Sequence, residues 1–177
     1  MTRRKQIDAV CADQADPALA GLGAMTVGGT DATGRRFGVV CSRFNPALTR
    51  GLLVATVTRL REHGAAAGAI EVVRVPGAFE LPVALELLAV RGGYDALIGL
   101  GAVIHGETEH AHMIHATVCA AFCDIARRHR VPVIDGVVVA KTMQQAEARC
   151  LHPAENRGGY AALAAIEMAQ VVTALKG

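Results

Sequence analysis

Aromatic side chains are scarce in this sequence: four phenylalanines, two tyrosines and no tryptophan make up 3% of its 177 residues. So few rings exclude a base-stacking platform for nucleic acid. Charge of one sign is also missing. Eighteen Lys and Arg against 16 Asp and Glu leave +2 with histidine neutral, and three or more basic residues run together only at 3–5 and 127–130. That gives no electrostatic footprint for a phosphate backbone, so nucleic acid is not an expected partner.

No uninterrupted apolar run approaches the roughly 18 residues of a membrane span. The basic N-terminus leads into 11–17, which holds Cys, Asp and Pro and has no apolar segment, so neither a signal peptide nor a membrane is expected. The five cysteines are odd in number and lack C-x-x-C spacing. A disulfide framework is therefore not expected, and reduced cysteines point to a cytoplasmic protein.

What is abundant is small apolar residues. The chain is 52% hydrophobic and 19% charged, the reverse of a disordered composition, and its length suits one domain. A chain of this size buries about 70% of its surface, so the surplus points to a dry core or to contacts between subunits.

Residues 1–33 lack periodicity and read as a flexible N-terminal arm, with one short strand conceivable at 25–27. From residue 34 to 177 the pattern is that of one α/β domain. Continuous apolar runs at 37–41, 70–75, 96–104 and 133–140 read as parallel strands buried on both faces. Between and after them lie helices at 47–63, 79–90, 109–129, 143–150 and 158–175. Asn45 before Pro46 reads as an N-cap with proline at N1, Gly64 as a C′ glycine, and Thr142 with Gln145 as a capping box. Alternating βα units imply right-handed crossovers, hence a three-layer αβα sandwich of flavodoxin-like type with a parallel four-stranded sheet.

In such a sheet ligands bind beyond the carboxyl ends of the strands. After the first strand, Phe44 at a loop tip can stack on a planar heterocycle, although a staple on the next helix is the commoner role for such a residue. After the second, Val75-Pro76-Gly77-Ala78-Phe79-Glu80-Leu81-Pro82 fixes a sharp turn whose backbone N–H groups face polar ligand edges at a helix start. The third strand runs through Ala102, Val103 and Ile104 into His105-Gly106-Glu107-Thr108-Glu109-His110. There Gly106 and Thr108 have the form of a phosphate cradle, and a first-turn histidine is available as acid or base at neutral pH. Arg149, near a helix end, can clamp a phosphate or remain solvated.

Four of the seven histidines, His105, His110, His112 and His115, fall close together, and Cys119 and Cys123 continue from His115 at i+4 spacing. The residues favour a packed helix face, alongside Ile114, Val118, Phe122 and Ile125, over a zinc site, because no carboxylate stands at ligand spacing.

In order, Arg43-Phe44-Asn45, V-P-G-A-F-E-L-P at 75–82, G-A-V-I-H-G-E-T-E-H at 101–110 and Ala165-Ile166-Glu167-Met168-Ala169 resemble the lumazine synthase family of riboflavin biosynthesis, over about residues 36–173. The resemblance implies condensation of 5-amino-6-(D-ribitylamino)uracil with 3,4-dihydroxy-2-butanone 4-phosphate to 6,7-dimethyl-8-ribityllumazine, releasing phosphate and water, with no metal and no organic cofactor. It implies that Phe44 stacks on the pyrimidine, while Ala78, Phe79, Glu80, Ala102, Val103 and Ile104 hold ring and ribityl chain. Glu107 through its N–H, Thr108 and Arg149 would bind phosphate, and His110 would move protons. Partners implied are small-molecule substrates and further copies of the chain, as a homopentamer or a shell of twelve pentamers.

The sequence departs from the family pattern at four places. His105 stands where an arginine is usual, Glu107 where a small residue is, Asp135 where an apolar, often aromatic residue lines the neighbouring subunit's pocket, and Arg157 where lysine is common. His105, Glu107 and Asp135 motivate an alternative: a catalytically impaired paralogue that binds or stores lumazine or flavin.

Overall fold

The computed structural model describes residues 23–105 and 110–177, with the backbone alone at 110–112. Four parallel strands, β1 (Phe37–Ser42), β2 (Ile70–Val75), β3 (Ala96–Ile104) and β4 (Val133–Ala140), form one sheet in the order β2-β1-β3-β4. The helices are α1 (Pro46–Glu62), α2 (Leu81–Arg91), α3 (His110–His129), α4 (Met143–Cys150) and α5 (Arg157–Lys176).

Every residue of β1 is buried, as expected of an inner strand covered above and below. Alternate side chains feed two cores. Val39, Cys41, Ile98, Leu100 and Ala102 join Leu52 and Leu60 of α1 with Ala162, Ala165 and Ile166 of α5. Val40, Leu97 and Val137 join Leu81, Leu85 and Leu88 of α2 with Val118, Phe122 and Ile125 of α3 on the other face. The three layers expected from the alternating pattern are therefore present.

Small residues set the layer spacing. A Cβ on Gly99 of β3 would lie 2.3 Å from the Phe122 ring, so the ring lies directly on the strand backbone. A Cβ on Gly158 would lie 2.1 Å from the Leu52 carbonyl oxygen, so α5 and α1 touch backbone to backbone. Thr56 donates from its hydroxyl to the Gly158 carbonyl at 3.0 Å across the same junction. By length and composition alone α5 could cross a membrane, yet its alanine face closes the core.

Both tyrosines carry arginines. Arg36 and Arg91 lie 5.7 and 5.4 Å from the Tyr94 ring centre, and Arg157 lies 5.5 Å from that of Tyr160.

Two local expectations are corrected. The stretch 25–27 is not a strand. The backbone that follows it is satisfied by a helix side chain instead: Gly29 N–H donates to Gln170 Oε1 at 2.6 Å, and Gln170 Nε2 donates to the Asp31 carbonyl at 2.6 Å. Asn45 does stand before Pro46 at the start of α1, but its side chain makes no capping bond, because a left-handed backbone (φ 56°) turns it elsewhere. Thr142 does cap α4, accepting from Gln145 N–H at 3.2 Å, whereas the Gln145 amide oxygen accepts from Lys141 N–H. The predicted helix at 79–90 opens as a tight 3-10 turn, Ala78–Glu80, before α2 begins.

Candidate active site

The order β2-β1-β3-β4 makes the chain leave β1 and β3 toward opposite faces, since α1 covers one face and α3 the other. Sheets of this kind bind ligands at that divergence, beyond the carboxyl ends of the strands. Three of the sequence-predicted segments meet there.

The β1 exit is held by neighbouring backbone. Arg43 N–H donates to the Val75 carbonyl at 2.8 Å and Phe44 N–H to the Pro76 carbonyl at 3.0 Å, while the Arg74 guanidinium donates to the Ser42 carbonyl at 3.1 Å. Asn45 Nδ2 crosses to β3 and donates to the Ala102 carbonyl at 2.9 Å. Its left-handed φ aims the amide at β3, and asparagine tolerates this conformation better than most residues. With its backbone fixed on both sides, Phe44 projects outward, 71% exposed.

The β2 exit folds back on itself. The Glu80 carboxylate accepts from Gly77 N–H at 2.7 Å, closing the turn that presents Phe79, which is 61% exposed. A Cβ on Gly101 would stand 3.4 Å from Ser42 Oγ and 3.5 Å from Ala78 Cβ, so the ends of β1, β2 and β3 converge at this glycine. Ala102 is buried, Val103 and Ile104 are half-buried, and His105 N–H extends the ladder to the Ala140 carbonyl at 2.9 Å. Two exposed rings thus stand on the segments that leave the converging ends of β1 and β2. This arrangement suits a flat polar heterocycle, which apolar faces stack on and fixed amides orient.

The phosphate-binding and proton-transfer expectations rest on other residues. Glu107 and Thr108 lie outside the described residues. His110 begins α3, with its side chain likewise outside them. Arg149 is exposed in the last turn of α4, about 9 Å along the helix from its start. A separate groove of about 530 Å³ lies between α1 and 151–159, lined by Arg50, Val54, Leu151 and Pro153. Among the described residues, none of the predicted site residues lines it.

None of the thiols with a shifted pKa is primed as a nucleophile. Burial pushes Cys41 up and takes Cys150 to about 11, and burial together with the Asp135 carboxylate takes Cys119 to about 11.

Two features escaped sequence reasoning. The Asn45 brace has no local signature beyond the Asn-Pro pair. The other is a carboxylate beside the His115–Cys119 stripe. Asp135 of β4 brings Oδ2 within 3.4 Å of His115 Nε2 and 3.4 Å of Cys119 Sγ.

Residues 34–173 match the family model described as 6,7-dimethyl-8-ribityllumazine synthase. That span takes in all four strands, the crevice and all but the last turn of α5. A match over that much of the chain shows that it belongs to the 6,7-dimethyl-8-ribityllumazine synthase family.

Proposed function

We propose that this chain condenses 5-amino-6-(D-ribitylamino)uracil with 3,4-dihydroxy-2-butanone 4-phosphate, forming 6,7-dimethyl-8-ribityllumazine and releasing phosphate and water. The observation that carries this reading is the pair of exposed rings, Phe44 and Phe79, over the converging ends of β1, β2 and β3. Phe44 stacks on the pyrimidine. The backbone of Ala78, Phe79 and Glu80 and of Ala102, Val103 and Ile104 orients the ring and the ribityl chain.

The chemistry asks little of side chains. The 5-amino group attacks the ketone, water leaves as the imine forms, phosphate is eliminated, and the ribitylamino nitrogen closes the ring with loss of a second water. Each step is a proximity problem with a proton to move, which a shaped crevice solves without an enzyme nucleophile. His110 moves the protons, and Glu107 through its N–H, Thr108 and Arg149 take the phosphate.

Copies of the chain assemble as homopentamers, with twelve pentamers able to close a shell, and Arg149 serves the crevice of an adjacent copy. Its exposure supports that role. So does an apolar stripe that starts at Phe79 in the 3-10 turn and continues along α2: Phe79, Val83, Leu87 and Val90 are 61%, 61%, 65% and 65% exposed, at helical spacing.

Mixing purified protein with both substrates should produce lumazine fluorescence faster than the spontaneous reaction, and His110→Ala should slow it. No acceleration by the unmodified chain sinks the reading. Asp135 favours a second one, a paralogue that binds or stores lumazine or flavin. Tight lumazine binding without turnover, and turnover restored by Asp135→Phe, would select it.

A further inference from the structure

We propose that His115, Cys119 and Asp135 form a zinc(II) site of one imidazole nitrogen, one thiolate and one carboxylate oxygen, with a fourth position open to water. The three donor atoms are His115 Nε2, Cys119 Sγ and Asp135 Oδ2. They stand 3.4 Å apart along all three edges of their triangle.

That triangle has the dimensions of one face of a zinc tetrahedron. Zn–S near 2.3 Å with Zn–N and Zn–O near 2.1 Å, at tetrahedral angles, place neighbouring donors about 3.3 to 3.6 Å apart. The donors come from two elements whose relative position the core fixes. His115 and Cys119 sit one turn apart on α3, whose Val118, Phe122 and Ile125 are buried against the sheet. Asp135 is on β4, opposite Gly99 in the sheet register.

The carboxylate is already oriented. Val137 N–H donates to Asp135 Oδ1 at 2.9 Å, which leaves Oδ2 to face the two other donors. Bonds of this kind hold metal-binding carboxylates in position. The side chains of His115 and Asp135 remain 32% and 38% exposed, so one side of the cluster is open for a fourth ligand. The mixture of donors selects the metal. Thiolate and imidazole favour zinc over magnesium or calcium, which prefer oxygen alone.

A hydrogen-bonded trio without metal is the competing account. It requires only that the thiol donate to the carboxylate, and it predicts no affinity for a cation. The zinc proposal does not depend on the synthase reading, because binding is measured without substrate.

The test uses untagged full-length protein, reduced and stripped with a chelator, then titrated with zinc chloride against a chromophoric chelator. One equivalent per chain is expected. Cobalt(II) in its place should give the intense visible bands of a tetrahedral complex and a thiolate charge-transfer band in the near ultraviolet. Cys119→Ser should abolish that band, and Asp135→Asn should weaken zinc binding by at least about tenfold. Cys123→Ser, one turn further along α3, should leave both unchanged. Far-UV circular dichroism identifies any variant that fails to fold, in which case the other carries the comparison. Zinc affinity unaltered in Cys119→Ser and Asp135→Asn, a pale octahedral cobalt spectrum, or loss of binding only in Cys123→Ser overturns the proposal.

Discussion

Asn45 provides a graded test of how the crevice is held. Its side chain ties the β1 exit to the Ala102 carbonyl of β3 at 2.9 Å from a backbone with φ 56°. Asn45→Ala removes that hydrogen bond, worth about 1 kcal/mol, and places an ordinary residue in the left-handed region at a further 1 to 2 kcal/mol or so. The expected loss is about 2 to 3 kcal/mol. Asn45→Gly loses the same bond but carries no left-handed strain. Its added unfolded-state entropy of roughly 0.4 to 1 kcal/mol is partly offset by relief of the asparagine's own strain, so it should be the milder change by about 1 kcal/mol. Asn45→Asp tolerates the backbone but sets a carboxylate against a carbonyl oxygen. Urea denaturation at one fixed protein concentration ranks the three. Because the brace also fixes the backbone that carries Phe44, all three should lower kcat/KM for lumazine formation on the order of 10- to 100-fold. An alanine variant within about 0.5 kcal/mol of the parent, or a glycine variant less stable than alanine, refutes the reasoning.

Gly99→Ala drives a methyl group into the Phe122 ring 2.3 Å away and should cost about 2 kcal/mol or more. Phe122→Leu in the same chain should recover part of it, and a double-mutant cycle that is additive within about 0.5 kcal/mol would show that the two do not touch. Gly158→Ala meets the Leu52 carbonyl, backbone that cannot rotate away, and should cost about 3 kcal/mol, whereas neighbouring Gly159 faces open space and its alanine variant should be neutral or stabilising. Equal melting temperatures for the two would be incompatible with the α1–α5 contact. Glu86 accepts from His129 at 2.8 Å and from Arg128 at 2.9 Å, and the His129 bond above all holds its pKa below the usual glutamate range. Its contribution is therefore complete above the ordinary glutamate pKa and lost as pH falls through the lower folded value. The stability gap between parent and Glu86→Gln should close across that acid window, and a gap independent of pH contradicts the assignment.

The strands were legible because being covered on both faces leaves an unbroken apolar run. Ile70–Val75, Ala96–Ile104 and Val133–Ala140 begin and end where those runs do. Helix ends shift by a residue or so, as fraying ends do. The site was less legible where its geometry depends on sheet register. Asn-Pro reads as a cap, yet the side chain goes to β3, and nothing within the loop encodes which carbonyl the β1–β3 register brings alongside. The His115–Cys119 pair is visible as helical spacing. Its carboxylate stands 16 residues beyond Cys119, on a strand, and joins it only because α3 lies against β4. Phe44 and Phe79 were readable for the opposite reason: in a chain so poor in rings, an aromatic residue at a loop or turn stands out.

The two arginine-covered tyrosines give the fold built-in optical reporters. Tyr94 precedes β3 at the amino edge of the sheet, with Arg36 and Arg91 beside it. Tyr160 sits in the first turn of α5, about 20 Å along that helix from Thr173, whose hydroxyl meets Arg35 at the amino edge. Without tryptophan, emission excited beyond the phenylalanine absorption band comes from these two places. Replacing either by phenylalanine leaves a single-site signal. One variant then follows the opening of the sheet's amino edge and the other the separation of α5 from α1, so the order in which the layers come apart can be recorded with no added label.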